Sequence, residues 1–594
     1  MATNVRTFLS YSLQSPTFWC GVIIACYTYI GLRTVIEAQI GHDELIYLVK
    51  SWWLFSGKAD WYSDKLPLGY FPNAFVLPGL GQYIFGQGLL EARTVGFLCT
   101  AITILLLYFY VRAISCPRQG LIAALVFTSS PAIFGWASIS TYAASNLLIL
   151  CVLIFSSERI IRSNLLRIIA PAILLSALLL TRLNHLISLF LLVPAIYLSN
   201  QHYRFTISFL SGGLALLLTG TVFALLPDQF PSQVPTNGVF PFLGQFIPFL
   251  SSSDYIWSEG YVASMSEAAS SGFFDNLPSS TSAPRLDAPT SWFSILISKF
   301  STDLIPAFFS FVRNLPRTAL SFGIIGLGIV LTWRRHCLLP STNLMRWLGI
   351  SFVIFVFVSF FKGHSICSSC PINYSQYFLV VGTIAGAHGL STLATKSLHR
   401  LILFVCLVGA TALFYAQALT TLKDAQFTPD EKHDIMELAY TINDLIPENK
   451  PVLPIGFLGK SRPIRMGLFM ADRFFEPGLL NPSFTFRPIP PNTTLSDEDK
   501  NYLKKANSWS PPQLLEWIEK EYDYILKPSY LYYDDHKYRF WFRRVFYPAK
   551  ARTMLGLLFD CRRLPGNYLD TPPIDICVRK TQGRTPSNSD GGTE

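Results

Sequence analysis

Repeated apolar runs, each of about 17–22 residues, decide what this chain can fold into. Coiled as a helix, a run of that length crosses the hydrocarbon layer of a bilayer. There every backbone N–H and C=O must be bonded within the segment. Such runs place membrane helices at about 17–39, 92–112, 119–136, 142–157, 166–182, 185–199, 205–226, 317–333, 346–361, 376–394 and 399–418, about eleven in all. Composition agrees: 14% of the 594 residues are charged, where a soluble domain carries about 25%. Met1 to Ser15 has one arginine and no small-residue cleavage pattern, so the first run reads as a retained helix. The expected fold class is a polytopic α-helical membrane protein with a small C-terminal α/β domain.

Basic residues set the expected orientation. Alternate connections carry Arg112 and Arg118; Arg159, Arg162 and Arg167; Arg204; Arg334, Arg335 and Arg346; Lys396 and Arg400. These read as cytoplasmic. The other side then receives a first outer loop (40–91), a long outer loop (227–316) and everything after 418. A multi-pass protein of the plasma (inner) membrane with an extracytoplasmic tail is expected. From residue 419 onward there are 24 Lys and Arg against 23 Asp and Glu, and in the rest 23 against 14, so the net +10 belongs to the helical half. Topology explains that excess, and no basic–aromatic motif points to nucleic acid.

Two short helices are expected in the first outer loop. One is an amphipathic stretch from Leu45 to Phe55 with Trp52 and Trp53 at headgroup depth; the other lies around 73–85, where a re-entrant channel element is the competing reading. The long outer loop, rich in Ser, Pro, Gly and Phe, reads as a lid or a disordered connection. Beyond about 419 the pattern changes. Thr428-Pro429-Asp430-Glu431 is a capping box opening a helix to Leu445, and Ser510-Pro511-Pro512-Gln513 repeats the device. Strand-like runs at Val452–Phe457, Tyr522–Leu526, Met554–Leu558 and Ile574–Val578 make 419–580 a small α/β domain, with a polar, disordered tail at 581–594. Cys367 and Cys370, or Cys561 and Cys577, suit a structural disulfide in an oxidising compartment.

Chemistry gathers near the front. Of the 14 acids before residue 419, five (Glu37, Asp43, Glu44, Asp60, Asp64) fall between 37 and 64. Adjacent carboxylates at the mouth of a membrane helix are costly unless wet or partnered. Asp43-Glu44 therefore reads as a solvated loop or as the chemical end of a membrane enzyme. Arg93, Arg182 and Lys362 stand at expected outer helix ends, against the positive-inside bias. Each suits an anionic ligand or a headgroup-snorkelling role.

Three further strings follow in order. Asp43-Glu44 comes after the first span; then Asp64-Lys65-Leu66-Pro67-Leu68-Gly69-Tyr70; then Tyr83-Ile84-Phe85-Gly86 with Glu91-Ala92-Arg93. This pattern resembles the GT-C superfamily of integral-membrane glycosyltransferases, which includes protein O-mannosyltransferases and the bacterial transferases that place aminoarabinose on lipid A. The likeness is clearest over about 35–115. It implies transfer of a sugar from a polyprenyl-phosphate donor to an acceptor glycan, glycolipid or protein, by inverting displacement, at a site between the first loop and the tail. It implies Asp43 as general base, with Glu44 beside it placing the acceptor. Lys65 is the implied contact of the donor phosphate, and Arg93 and Arg182 are further candidates by their place at outer helix ends; Asp64 and Tyr70 are candidates to position substrate, and His185, beside Arg182 and Asn184, suits substrate contact or a turn cap. A carboxylate that takes the acceptor proton contributes about 10²–10⁴ in rate. Cations aimed at the departing phosphate stabilise charge that grows in the transition state. Asp64 and His364 are an incomplete divalent-metal set, which leaves a metal cofactor open. The chain departs from the pattern in two places: no acid stands between Gly135 and Ser145, and Gln376-Tyr377 replaces the Arg-Tyr of many relatives. A transporter or flippase of lipid-linked precursors, with the acids in ion coupling, is the alternative; a membrane-anchored scaffold is a third.

Overall fold

Proline at the first helical position, where no N–H is needed, starts the first apolar run as α1 (Pro16–Glu37). The computed structural model describes residues 15–38, 42–58, 73–182, 185–225, 319–334, 340–363, 370–393, 405–413, 415–416, 419–420, 429–448, 450–454, 462–473, 475, 522–528, 559–564 and 574–580. They fall into two compact units, one holding the described residues up to 420 and the other those from 429.

The first unit is helical. After α1 come α2 (His42–Phe55), α3 (Asn73–Phe85), α4 (Leu89–Ile114), α5 (Pro117–Thr128), a 3-10 turn (Pro131–Ala137), α6 (Ser140–Ser156), α7 (Asn164–Leu179), α8 (Leu186–Ser199) and α9 (Arg204–Leu225). Then follow α10 (Ala319–Arg334), α11 (Pro340–Gly363), α12 (Cys370–Ser375), a second 3-10 turn (Gln376–Phe378) and α13 (Leu379–Leu393). Among the described residues α1, α4, α9 and α11 are long and apolar enough to cross a membrane, and α6, α7, α8 and α10 add shorter apolar helices. The chain is a helical membrane protein. The run expected as one helix at 119–136 is instead α5 followed by the first 3-10 turn, because Pro131 cannot continue α5. The long outer loop, the helix expected after Ser510 and the tail 581–594 lie outside the described residues.

α2 differs from its expected one-faced character. From Glu44 to Ser51 every side chain is buried, because α3 packs along it and α4 packs on α3. Even Lys50 is fully enclosed, its Nζ 5.0 Å from the Trp53 ring centre.

Aromatic stacking joins α1 to its neighbours: Tyr27 lies 5.6 Å from Phe97 of α4 and 5.6 Å from Phe134 of the first 3-10 turn. α10 and α13 meet backbone to backbone. A Cβ at Gly389 would run into the Gly328 carbonyl, and one at Gly328 into the Gly386 carbonyl. Thr332 Oγ1 donates to the Ala385 carbonyl (2.9 Å) across the same seam. Close approach of this kind holds helices together where lipid is as apolar as a leucine side chain.

At one end of the unit the chain is tied by charge. Arg159 Nη1 donates to the Ile114 carbonyl (2.6 Å) at the end of α4. Glu158 accepts the Gln201 N–H (2.6 Å) and the His202 N–H (3.2 Å), and meets His202 Nδ1 at 2.7 Å. Buried Arg167, bonded to Asn164 and Asn200, stands 3.6 Å from the same carboxylate. Burial pushes the Glu158 carboxyl up, but the Gln201 and His202 hydrogen bonds and Arg167 outweigh it and hold the carboxyl down to about 2.

The second unit is α/β. α14 (Pro429–Leu445) packs on α15 (Arg462–Met470), with Gly467 against Leu438 and Ile442. Arg473 joins the ends of both helices, donating Nε to the Ile446 carbonyl (2.9 Å) and Nη1 to the Ala471 carbonyl (2.7 Å). A four-stranded sheet of β1 (Val452–Pro454), β2 (Tyr524–Pro528), β3 (Phe559–Arg563) and β4 (Ile574–Arg579) has the order β1-β2-β4-β3, with β1 and β2 parallel and the other pairs antiparallel. Cys561 and Cys577 face each other across β3 and β4 and form a disulfide. The apolar run at Met554–Leu558 is outside the described residues, and the strand beside it is the polar Phe559–Arg563. An edge strand held by pairing and a disulfide needs no apolar alternation.

Two outcomes follow. Gly389→Val should lower stability in detergent by about 1–3 kcal/mol through overpacking, whereas Gly323→Ala, with open space around it, should melt like the native protein. For Glu158 the folded carboxyl titrates below its ordinary value of 4.5, so its contribution is fully present above pH 4.5 and is lost as the pH falls towards about 2. Melting curves of the native protein and Glu158→Gln should differ above pH 5 and converge towards pH 2.

Candidate active site

α2 opens with His42-Asp43-Glu44. Glu44 is 3% exposed, a depth at which a carboxylate must be paired. Arg93, in the first turns of α4 and 1% exposed, pairs with it in a fork: Nε to Oε1 at 2.5 Å and Nη2 to Oε2 at 2.8 Å. Its Nη1 donates to the Val35 (3.1 Å) and Ala38 (2.7 Å) carbonyls, at the C-terminal end of α1 where helical carbonyls lack partners. One guanidinium thus joins the end of α1, the start of α2 and the start of α4, and fixes the backbone that carries Asp43. The sequence reading gave Arg93 to the donor phosphate and Glu44 to the acceptor. The structure pairs the two with each other, at a depth where each charge needs a partner.

α3 carries this corner onward. Tyr47 packs on Phe75 (5.8 Å between centroids), and Gln82 Nε2 donates to the Leu48 carbonyl (3.0 Å) and to Ser51 Oγ (2.9 Å). Asn73, the first residue of α3, donates its N–H to the Leu180 carbonyl (3.2 Å) and its Nδ2 to the Ala177 carbonyl (2.8 Å). The start of α3 is therefore seated on the turn after α7, and that turn carries Arg182. Glu44, Tyr47, Pro78, Arg93 and Ser138 line a small crevice between these elements.

Arg182 and His185, three residues apart in the sequence, both meet Tyr377. Half-buried Arg182 donates Nη1 to the Tyr377 hydroxyl and lies over the rings of Tyr377 (5.4 Å) and Tyr374 (5.8 Å). Tyr377 is fully buried; its hydroxyl is 3.2 Å from Thr141 Oγ1, and its ring meets Tyr142 at 4.3 Å and the edge of His185 at 5.2 Å. His185, also fully buried, bonds Ser145 Oγ through Nε2 (2.7 Å) and faces Ser188 Oγ at 3.3 Å from Nδ1. The sequence marked Tyr377 only through the departure at Gln376-Tyr377 and singled out neither Thr141 nor Ser145, since 236 residues separate Thr141 from Tyr377. Lys65, Asp64, Tyr70, His364 and the side chain of Asp43 lie outside the described residues, as does the side chain of Lys362. Among the described residues no group of three His, Cys, Asp or Glu side chains is placed to hold a metal ion.

Removing one partner of the buried pair leaves the other charge uncompensated. Arg93→Met should cost about 3–5 kcal/mol, read as a lowered melting temperature in detergent. The double variant Arg93→Met, Glu44→Met should recover a large part of that loss.

No family model matches this sequence, and no curated protein matches it. Among solved structures, ArnT from Cupriavidus metallidurans bound to undecaprenyl phosphate matches at a TM-score of 0.50 and 13% identity, over 95% of this chain and 99% of that one. The oligosaccharyltransferase of Archaeoglobus fulgidus in its apo form matches at 0.47 and 12% identity, over 86% and 70%. AglB, the archaeal oligosaccharyltransferase from the same organism in complex with an inhibitory peptide and a dolichol-phosphate, matches at 0.44 and 11%, over 96% and 75%. The two archaeal likenesses fall below a TM-score of 0.5 and add nothing further. At 13% identity the first is a likeness of fold: this chain is built like ArnT, a member of the GT-C superfamily that its first outer loop resembles.

Proposed function

We propose that the protein is a glycosyltransferase that takes a sugar from a polyprenyl-phosphate carrier and gives it to an acceptor at the extracytoplasmic membrane face. The observation that carries this reading is the presence of two buried polar clusters within the helical unit. One is the Glu44–Arg93 pair beneath the start of α2; the other is Arg182 with Tyr377 and His185. The seat of Asn73 on the Arg182 turn links them. Polar groups at such depth are retained at a cost and point to function.

In this reading Asp43 is the base. The acceptor oxygen attacks the anomeric carbon, the bond from that carbon to the phosphate oxygen breaks, and the acceptor proton passes to the Asp43 carboxylate. Polyprenyl phosphate leaves. Lys65 and Arg182 meet the charge that grows on it, while Asp64, Tyr70 and His185 position the sugar and acceptor. Glu44 and Arg93 act through Asp43 by fixing the first turn of α2. The undecaprenyl phosphate bound by ArnT supports a lipid phosphate as the donor's carrier, and the acceptor is a glycan, glycolipid or protein. Residues 1–418 form the transferase domain and 419–580 an extracytoplasmic α/β domain, with the amino terminus cytoplasmic.

Sugar transfer from a polyprenyl-phosphate donor by the purified full chain tests this reading. Asp43→Asn should lower turnover by about 10² or more, with donor binding retained; full turnover in that variant would remove Asp43 as base. Lys65→Ala should weaken donor binding, and unchanged affinity would remove its phosphate contact. Donor flipping without transfer would favour the transporter reading instead.

A further inference from the structure

An α-helix bonds each N–H to the carbonyl four residues back. Between Gln376 and Val380 a side chain is inserted into that ladder. Asn146 of α6, fully buried, donates Nδ2 to the Gln376 carbonyl (2.9 Å) and accepts the Val380 N–H at Oδ1 (2.9 Å). Its amide also donates to the Tyr142 carbonyl (2.9 Å). One orientation of the carboxamide satisfies all three bonds, since two of them need its nitrogen and one its oxygen. Around this insertion the chain tightens to the second 3-10 turn, where the Leu379 N–H bonds the Gln376 carbonyl. Trp136 Nε1 pins the same turn by donating to Gln376 Oε1 (2.9 Å).

The opening falls at Tyr377, the residue that holds Arg182. A 3-10 turn advances about 20° more per residue than an α-turn. If the Gln376–Val380 bond closed, Tyr377 would rotate away from Arg182 and Thr141 by tens of degrees. In a reacting site a misplacement of about 1 Å costs on the order of 10² in rate. Side chains inserted in the ladder are a recognised cause of helix distortion, and short 3-10 pieces inside helices mark functional hinges.

We propose that Asn146 is a positioning residue: its amide holds the 376–380 turn open, so that the Tyr377 hydroxyl presents Arg182 to the phosphate of the donor. This rests on the phosphate role given to Arg182 above. Asn146 touches no substrate in this arrangement. It acts through two backbone groups and one phenol.

The test is binding of undecaprenyl phosphate to the purified full chain in nanodiscs, for the native protein, Asn146→Leu, Arg182→Ala and the double variant. Asn146→Leu keeps the branched heavy-atom skeleton of the side chain and removes the amide. It should weaken binding about tenfold, and by less than about twofold when Arg182 is already alanine, because the two residues act as one unit. Equal losses in both backgrounds, or no loss in Asn146→Leu, would overturn the proposal. Unchanged affinity in Arg182→Ala alone would remove the phosphate reading itself, and the positioning role with it. If Asn146→Leu does not fold, Tyr377→Phe asks the same question, since it keeps the ring and the turn and deletes the hydroxyl that holds Arg182. It too should lose about tenfold in the native background and little in Arg182→Ala; full affinity in Tyr377→Phe would overturn the proposal.

Discussion

A polar group enclosed within a membrane protein has no water to fall back on, and each one must be answered by another group of the chain. The helical unit is arranged around that demand. Arg93 answers Glu44 and, with the same guanidinium, the loose carbonyls at the end of α1. Asn146 answers a backbone carbonyl and a backbone N–H at once. At the basic end Glu158 collects two amides and a histidine, and Arg167 collects two asparagines. These bonds cross between elements far apart in sequence, so they set which helix ends meet. Apolar packing alone does not, because lipid competes with it on equal terms.

The candidate site follows from where those answers were needed. The fork between Glu44 and Arg93 holds the first turn of α2, and so the backbone of Asp43. Asn73 then seats α3 on the turn of Arg182. Across α6, Thr141, Ser145 and Asn146 supply three neighbouring polar side chains. Two of them bond Tyr377 and His185, and the third opens the turn beneath Tyr377. A short polar face on one otherwise apolar helix therefore serves both the cluster of Arg182, Tyr377 and His185 and the backbone that supports it.

Much of the helical framework was legible in the sequence because apolar length is a local property. The starts of α1, α4 and α9, and the α/β character of the C-terminal unit, follow from runs, caps and prolines. What failed did so for identifiable reasons. The run at 119–136 was read as one helix because apolarity hides the stop at Pro131. The amphipathic pattern of Leu45–Phe55 suggested a surface helix, yet α3 covers the face that the pattern left polar. The pairing of Arg93 with Glu44 was not legible because the two lie 49 residues apart.

Local chemistry by itself determined that this chain enters a membrane, about where several of its helices run, and that acids and cations collect near its first loop, since hydrophobicity, capping and charge act through neighbours in sequence. Only the tertiary structure decided which of those charges neutralise each other, and that Arg182 and His185 meet on Tyr377. The reason is that pairing at depth depends on distance across helices, and sequence spacing carries no record of that distance.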